Sequence, residues 1–276
     1  MKVIPLKIDK TLNVLVRHMW IVEETNGINV NVKAFPTGYP YFNVICGNSF
    51  AIKDCKGNLL ETTSYLSGNS VYPFELSMRV IKRALTIQLQ PYAIPYLTGI
   101  PANEFSELRV PINCFSKYLA ESLEELIASD LDSEVVLWKV AALLRDYYKN
   151  KPIDSRVISS LNDILVNEGN ISITSINSKL NLSQRRLQQL FKTHLGMSAK
   201  SYTKVVRMQS HTFKLLNGIK LDSIVPEGYF DQSHFIHDMK KQTSMSPTEF
   251  QKFITYSGHH AAYYVSNLFF EGSLNH

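Results

Sequence analysis

Cysteine is scarce in this chain: Cys46, Cys55 and Cys114 are the only thiols in 276 residues. An odd, widely spaced set builds neither a disulfide framework nor a zinc cluster, so reduced, partly buried thiols are expected. Histidine is scarcer still where metal chemistry would need it, with His18 standing alone before residue 194. An open Zn or Fe site in a β-barrel needs several imidazoles and a carboxylate on one ion. No metal site is expected, and His18, two residues from Trp20, reads as structural. Gly-rich phosphate loops and the GxSxG elbow are missing as well. That leaves no catalytic residue to name and no cofactor to expect, so an enzyme acting on a small molecule is only a distant rival reading. Long apolar runs are also lacking. A membrane span needs about 18 apolar residues in a row, and the opening MKVIPLKIDK lacks the apolar centre of a secretion signal. No membrane partner is expected, and the expected location is cytoplasmic.

Net charge is low, +5 from 29 Lys and Arg against 24 Asp and Glu, in a composition 45% hydrophobic and 19% charged. Such a chain is globular and large enough for two cores. The charge is unevenly placed. Asn181 to Lys220 holds eight basic residues, Arg185, Arg186, Lys192, Lys200, Lys204, Arg207, Lys214 and Lys220, and no Asp or Glu. Ser116 to Asp154 leans acidic through Glu121, Glu124, Glu125, Asp130, Asp132 and Glu134. A basic patch confined to one region is the electrostatic footprint of phosphate contacts, although a merely solvated basic face has the same composition.

The stretch Ile171 to Lys192, ISITSINSKLNLSQRRLQQLFK, predicts two short helices joined at Leu180-Asn181-Leu182, with the Ser183 hydroxyl capping the second. On that second helix Leu187, Leu190 and Phe191 share one face. Arg185, Gln188, Gln189 and Lys192 form another row at helical spacing. Arg and Gln can bond bidentately to guanine and adenine edges, so the row suits a helix laid in a DNA major groove. A solvated amphipathic helix is the plain alternative.

A shift of 48 positions lays this segment over a second copy. Ile173, Ile176, Leu187, Phe191, Lys192, Met197, Ser198 and Tyr202 match Leu221, Ile224, Phe235, Met239, Lys240, Met245, Ser246 and Phe250. An internal repeat of a two-helix unit predicts two similar modules. Between them Ser198 to Asn217 carries Val205, Met208, Thr212, Leu215 and Leu216 on one face and ends at Gly218. It predicts one helix of roughly 30 Å, close to the ~34 Å between major-groove entries on one face of B-DNA.

Residues 1–112 read as β-rich. Ile28 to Ala34 and Leu85 to Gln90 alternate, Tyr41 to Ile45 is aromatic and β-branched, and turn signals recur at Gly47-Asn48, Lys56-Gly57-Asn58 and Gly68-Asn69. A barrel or sandwich is implied. Residues 113–152 predict a helical connector, striped by Tyr118, Leu119, Leu123, Leu126 and Ile127 and then by Val135, Val136, Trp138, Val140, Leu143 and Leu144. These helices either cover the barrel or pair with a second subunit. Asn150-Lys151-Pro152 marks a hinge, 153–256 forms the two-module region, and 257–276 is an apolar tail expected to dock.

LSQRRLQQLFKTHLGMSAKSY at 182–202 and GYFDQSHFIHDMKKQTSMSPTEF at 228–250 carry a resemblance to a known family. With the helix between them, they resemble the C-terminal DNA-binding domain of AraC/XylS-type transcriptional regulators; DQSHF followed after ten residues by SPTEF is a specific pairing. HMWIVEE at 18–24, FPTGYPYFNVICG at 35–47 and LTIQLQPYAIPYLTGIPANEF at 85–105 more weakly resemble the cupin-like domain of some of these regulators. The resemblance implies an α+β architecture: an N-terminal β-rich cupin-like barrel, connecting helices and an all-α double helix-turn-helix. It implies double-stranded DNA and RNA polymerase as partners, and a small-molecule effector or a homodimer through the N-terminal domain.

Carried over by position, base-reading sites fall on Arg185, Gln188 and Gln189 in the first module and on Gln232, Ser233 and His237 in the second. Arg186, Lys192 and Lys240 complete the DNA-binding set. One departure stands out: Val225-Pro226-Glu227-Gly228 is a residue shorter than the family's usual linkage, and Pro226 falls where a supporting helix should run. An interior proline costs about 3 kcal/mol. The expectation is a short or distorted helix there and unsettled docking of Asp231 to Gln242. A binding protein with weakened DNA recognition is the corresponding rival reading.

Overall fold

A computed structural model describes residues 2–24, 27–80, 82–148, 152–219, 223, 228–229 and 231–256. Strand burial shows how the β-rich half is layered. In β2 (Val16–Glu23) Met19 and Ile21 are buried on one face and Trp20 and Val22 on the other, and all seven residues of β9 (Arg83–Leu89) are buried. These strands lie inside an antiparallel six-stranded sheet ordered β1 (Lys2–Leu6), β2, β9, β4 (Tyr41–Ile45), β7 (Ser64–Ser67), β10 (Arg109–Pro111). By contrast β8 (Phe74–Val80) alternates buried Leu76, Met78 and Val80 with exposed Glu75, Ser77 and Arg79, as a strand with one wet face must. It belongs to a four-stranded sheet ordered β3 (Ile28–Ala34), β8, β5 (Phe50–Lys53), β6 (Leu59–Thr62). The sheets meet over Trp20, Val22, Phe50, Ile52, Tyr65 and Met78.

Helices cover the other face of the six-stranded sheet. The Ser116 hydroxyl accepts from the Leu119 amide and starts α2 (Lys117–Ala128), which is followed by α3 (Ser133–Tyr147). Leu119, Leu123, Ile127, Val136, Val140 and Leu144 bury their stripe in the cluster that holds Met19, Ile21, Phe42, Val44 and Leu85, with Leu126 and Leu143 packed against it, whereas Tyr118, Val135 and Trp138 are exposed, a correction to the expected stripes. Lys82 Nζ donates to the carbonyls of Ala128 at 3.2 Å and Ser129 at 3.1 Å, and Arg83 reaches Ser129 at 3.1 Å. Lys82 and the first residue of β9 therefore satisfy carbonyls that the end of α2 leaves open. Cys46 is half-buried, but Cys55 and Cys114 are exposed, a correction to the expected partial burial. Cys55 falls in the tight Asp54–Asn58 turn between two strands, closed by Asp54 N–H to Asn58 C=O at 3.0 Å.

Two short elements that strand periodicity does not foreshadow follow β9. They are α1 (Ile94–Thr98), with a proline in its first turn, and a 3-10 turn at Ala102–Phe105. The all-α part contains α4 (Ser155–Val166), α5 (Ile173–Leu180), α6 (Gln184–Leu195), α7 (Ala199–Leu216), α8 (Gln232–Thr243) and α9 (Pro247–Tyr256). It has two cores, and both use α7. Ala199, Tyr202 and Val206 join Val157, Leu161, Ile176, Leu187 and Phe191; Met208 and Leu215 join Tyr229, Phe235, Met239 and Phe250. Asn150, Lys151, Pro226 and the tail 257–276 lie outside the described residues. No described helix is long and apolar enough to cross a membrane.

His18 on β2 is half-buried, with Arg17 Nε donating to its Nε2 at 3.4 Å. Burial, and then the neighbouring Arg17 charge, push its pKa down from 6.5 to about 4. As pH falls through this window the unfolded chain takes up a proton that the folded chain refuses, so the site destabilises the fold in acid. The melting temperature is expected to fall between about pH 7.5 and about pH 5, and to fall less in His18→Gln, as measured by circular dichroism melts.

Candidate nucleic-acid interface

Backbone caps build the first two-helix unit. Ser172 Oγ accepts from the Ser175 amide at 3.0 Å and starts α5. The helix stops at Asn181, which takes φ +50, with Leu182 N–H donating to Asn177 C=O at 3.0 Å and Asn181 N–H to Ser178 C=O at 3.3 Å. Asn tolerates this left-handed position better than most residues, and the paired bonds satisfy the last carbonyls of α5. Ser183 then accepts from the Arg186 amide at 3.2 Å and launches α6. The turn is closed by its own residues, which fixes the angle between the two helices.

On α6 Leu187, Leu190, Phe191 and Leu195 are buried, while Arg185, Arg186, Gln188, Gln189 and Lys192 are exposed together. Arg186 Nη1 donates to Gln189 Oε1 at 3.1 Å, giving the outer row some internal order. His194, a turn beyond, stacks on Tyr96 at 5.8 Å, and burial lowers its pKa, so it takes no part in this surface.

The second unit repeats this plan. Asp231 accepts from the His234 amide at 2.7 Å and caps α8. The pairs Leu187 and Phe235, Phe191 and Met239, and Tyr202 and Phe250 are all buried at equivalent places. Ser198 and Ser246 each cap the following helix, and Ser246 N–H bonds Glu249 Oε2 at 2.7 Å in return. Gln232, Ser233, His237 and Lys240 are exposed on α8.

Docking of α8 is secure, which corrects the expectation drawn from Pro226. Phe235 and Met239 are fully buried, and Lys204 on α7 pairs at 2.9 Å with Asp238, itself 2% exposed. Gln242 Nε2 adds a bond to Lys204 C=O at 3.3 Å. Arg207 secures the incoming chain by donating to the carbonyls of Gly228 and Gly169 and lying 5.1 Å over the Tyr229 ring. Nothing in sequence spacing pairs residue 204 with residue 238, so this anchor was not readable beforehand.

The basic run therefore divides. Arg185, Arg186, Lys192 and Lys200 are exposed, whereas Lys204 and Arg207 are occupied as described and Lys214 pairs with Glu168 at 3.0 Å. Lys220 lies outside the described residues. All eight belong to the footprint expected from composition; contacts between distant segments decide which of them stay exposed.

The β-rich half touches both units. Asn69, buried, donates to Pro91 C=O at 3.1 Å and to Leu195 C=O at 3.0 Å at the end of α6. Gly196 takes φ +78, and a Cβ there would lie 2.6 Å from the Ala102 carbonyl oxygen, so only glycine fits between α6 and the 3-10 turn. Its counterpart Ser244 ends α8 at φ +59.

Comparison with known proteins bears on the same region. Residues 176–252 match the profile of a family described as a helix-turn-helix domain, of AraC type. No curated protein sequence matches the chain. Among solved structures, ToxT from Vibrio cholerae is 14% identical, covering 86% of this chain and 97% of that one at a TM-score of 0.43. ToxT from Vibrio cholerae O395 bound to (E)-4-(8-methylnaphthalen-1-yl)but-3-enoic acid is 15% identical, covering 85% and 97%, at 0.43. The AraC-like transcriptional activator CuxR is 14% identical, covering 71% and 78%, at 0.30.

The two helix ends make a matched test. Gly196→Ala should lower stability by about 2 kcal/mol or more, because left-handed strain adds to a backbone clash. Ser244→Gly should be neutral or stabilising by up to about 1 kcal/mol. Urea melts of the two variants measure both; equal losses would show that the approach to Ala102 has no cost.

Proposed function

We propose that this chain, whose C-terminal part is an AraC-type helix-turn-helix domain, is a sequence-specific DNA-binding transcriptional regulator, with α6 and α8 as its two recognition helices. One observation carries the reading: a row of Arg and Gln side chains, exposed together on a capped helix, recurs in modified form on a second helix built to the same plan. Such a row offers bidentate donors to base edges, and neighbouring Lys and Arg bind phosphates. The 18 residues of α7 span about 27 Å, which suits entry into successive major-groove segments.

The assignment of roles follows the chemistry. Arg185, Gln188 and Gln189 read bases, and Arg186 and Lys192 hold the backbone. Gln232, Ser233, His237 and Lys240 form the second, less charged contact. Residues 1–112 act as the input half and 113–152 as the connector. A small effector or a second copy of the chain would act there, and the outward-facing Val135 and Trp138 of α3, 41% and 55% exposed, suit the latter. RNA polymerase is the expected partner of a DNA-bound AraC-type domain, and the cytoplasm of a bacterium is its place of work. No catalytic step or cofactor is assigned.

Arg185→Ala is expected to weaken binding to the cognate site by about 1 to 3 kcal/mol and to relax preference at one base pair, with little change on random DNA. Lys192→Ala should weaken all sequences alike and flatten the salt dependence by about one charge. Gel shifts across a salt series measure both, and equal loss on cognate and random DNA for Arg185→Ala would remove base reading from α6. Alanine at Gln232, Ser233 and His237 together should cost only about one or two kcal/mol, and footprinting should show the weaker half of the site under α8.

A further inference from the structure

We propose that Phe35, in the β-rich half, is a positioning residue for the second recognition helix, because it completes the core on which α8 rests. The chain leaves β3 at Ala34 and runs through Phe35-Pro36-Thr37-Gly38-Tyr39-Pro40 before entering β4. Phe35 meets Phe250 edge-on at 5.4 Å and 85°, and Phe253 at 5.7 Å and 89°. Both distances lie in the range where edge-to-face aromatic pairs attract beyond simple burial. It packs in the same cluster as Met208, Phe235 and Met239.

Two further contacts hold the loop there. The Pro36 carbonyl accepts from Gln209 Nε2 on α7, a side chain only 6% exposed. Gly38, at φ +78, lies so close to Tyr202 that a Cβ would sit 3.1 Å from the ring.

The two modules are supported differently. In the first, Val157, Leu161 and Ile164 of α4 close the core from outside the helix pair, with Tyr92 of the β-rich half at its edge. Among the described residues of the second, Phe35 contributes from outside in the corresponding sense. A segment almost two hundred residues away in sequence thus holds part of the surface beneath α8. Loss of its ring loosens α8 and α9 against α7 and leaves α5 and α6 on their own core.

The inference rests on the DNA-binding reading for its consequence, but the positioning itself can be measured without DNA. Phe35→Ala and Phe35→Leu would be made in the full chain, and amide hydrogen exchange followed alongside footprinting. In Phe35→Ala, exchange across 232–256 should rise by about tenfold or more while 173–195 is unchanged, and Phe35→Leu should give a smaller rise confined to the same residues. Footprints should lose the half of the site under α8 and keep the half under α6. Unchanged exchange over 232–256 in folded Phe35→Ala, or an equal rise over the whole chain, overturns the proposal. If Phe35→Ala does not fold, the decision passes to Phe35→Leu, where a rise that is absent or spread over the chain overturns it. Should the parent chain protect no DNA, the regulator reading fails while the exchange result still decides the role of Phe35.

Discussion

Most of the architecture depends on the burial of one helix from several sides. Ten of the 18 residues of α7 are buried, including Tyr202, Val205, Met208, Gln209, His211 and Leu215. A surface helix buries one stripe; a helix buried over most of its circumference needs neighbours all around it. The first module takes one side, the second module another, and the β-rich half closes the gap with the loop after β3. Because packed interiors tolerate little slack, a shift in any one neighbour is felt by the others through α7.

The contacts around α7 are polar where helices cross and apolar where modules close. Lys204 and Arg207 illustrate the first kind, since each uses its charge to fix a distant segment, Asp238 in one case and the carbonyls of Gly169 and Gly228 in the other. Charge-assisted bonds of this kind are directional and set an angle as well as a distance.

Legibility in the sequence followed the range of the interaction. Ser172, Asn181 and Ser183 act within four residues of themselves, and their caps and turn were readable at once. Of the apolar residues that the 48-residue repeat matches in the second unit, Phe235, Met239 and Phe250 are buried and Met245 is partly buried, while Leu221 and Ile224 lie outside the described residues. Alternation pointed to β3 and β9 alone among the described strands, and it does not show how deeply β9 lies. Leu85 to Leu89 looks half polar, yet Gln88 is fully buried and donates to the Tyr41 hydroxyl at 2.7 Å, because the second sheet covers that face. Pro226 drew attention to a weakness in the second module, whereas the residues that secure α8, Lys204 and Phe35, lie far from it in sequence. Candidate base-reading residues could be named from the motif alone; what holds the second set in place could not.

The close fit of Gly196 under the Ala102 carbonyl bears on how such a chain can be recombined. A hybrid joining this β-rich half to a relative's helix-turn-helix region near residue 152 would inherit a joint shaped by residues far from the cut. Any side chain at position 196 would press the incoming region away from Ala102, and a partner without a donor for Pro36 would leave that carbonyl without its bond. Exchange of halves is therefore not free: residues 35–38, 69 and 102 on one side and 195–196, 209 and 250 on the other have to travel as a set.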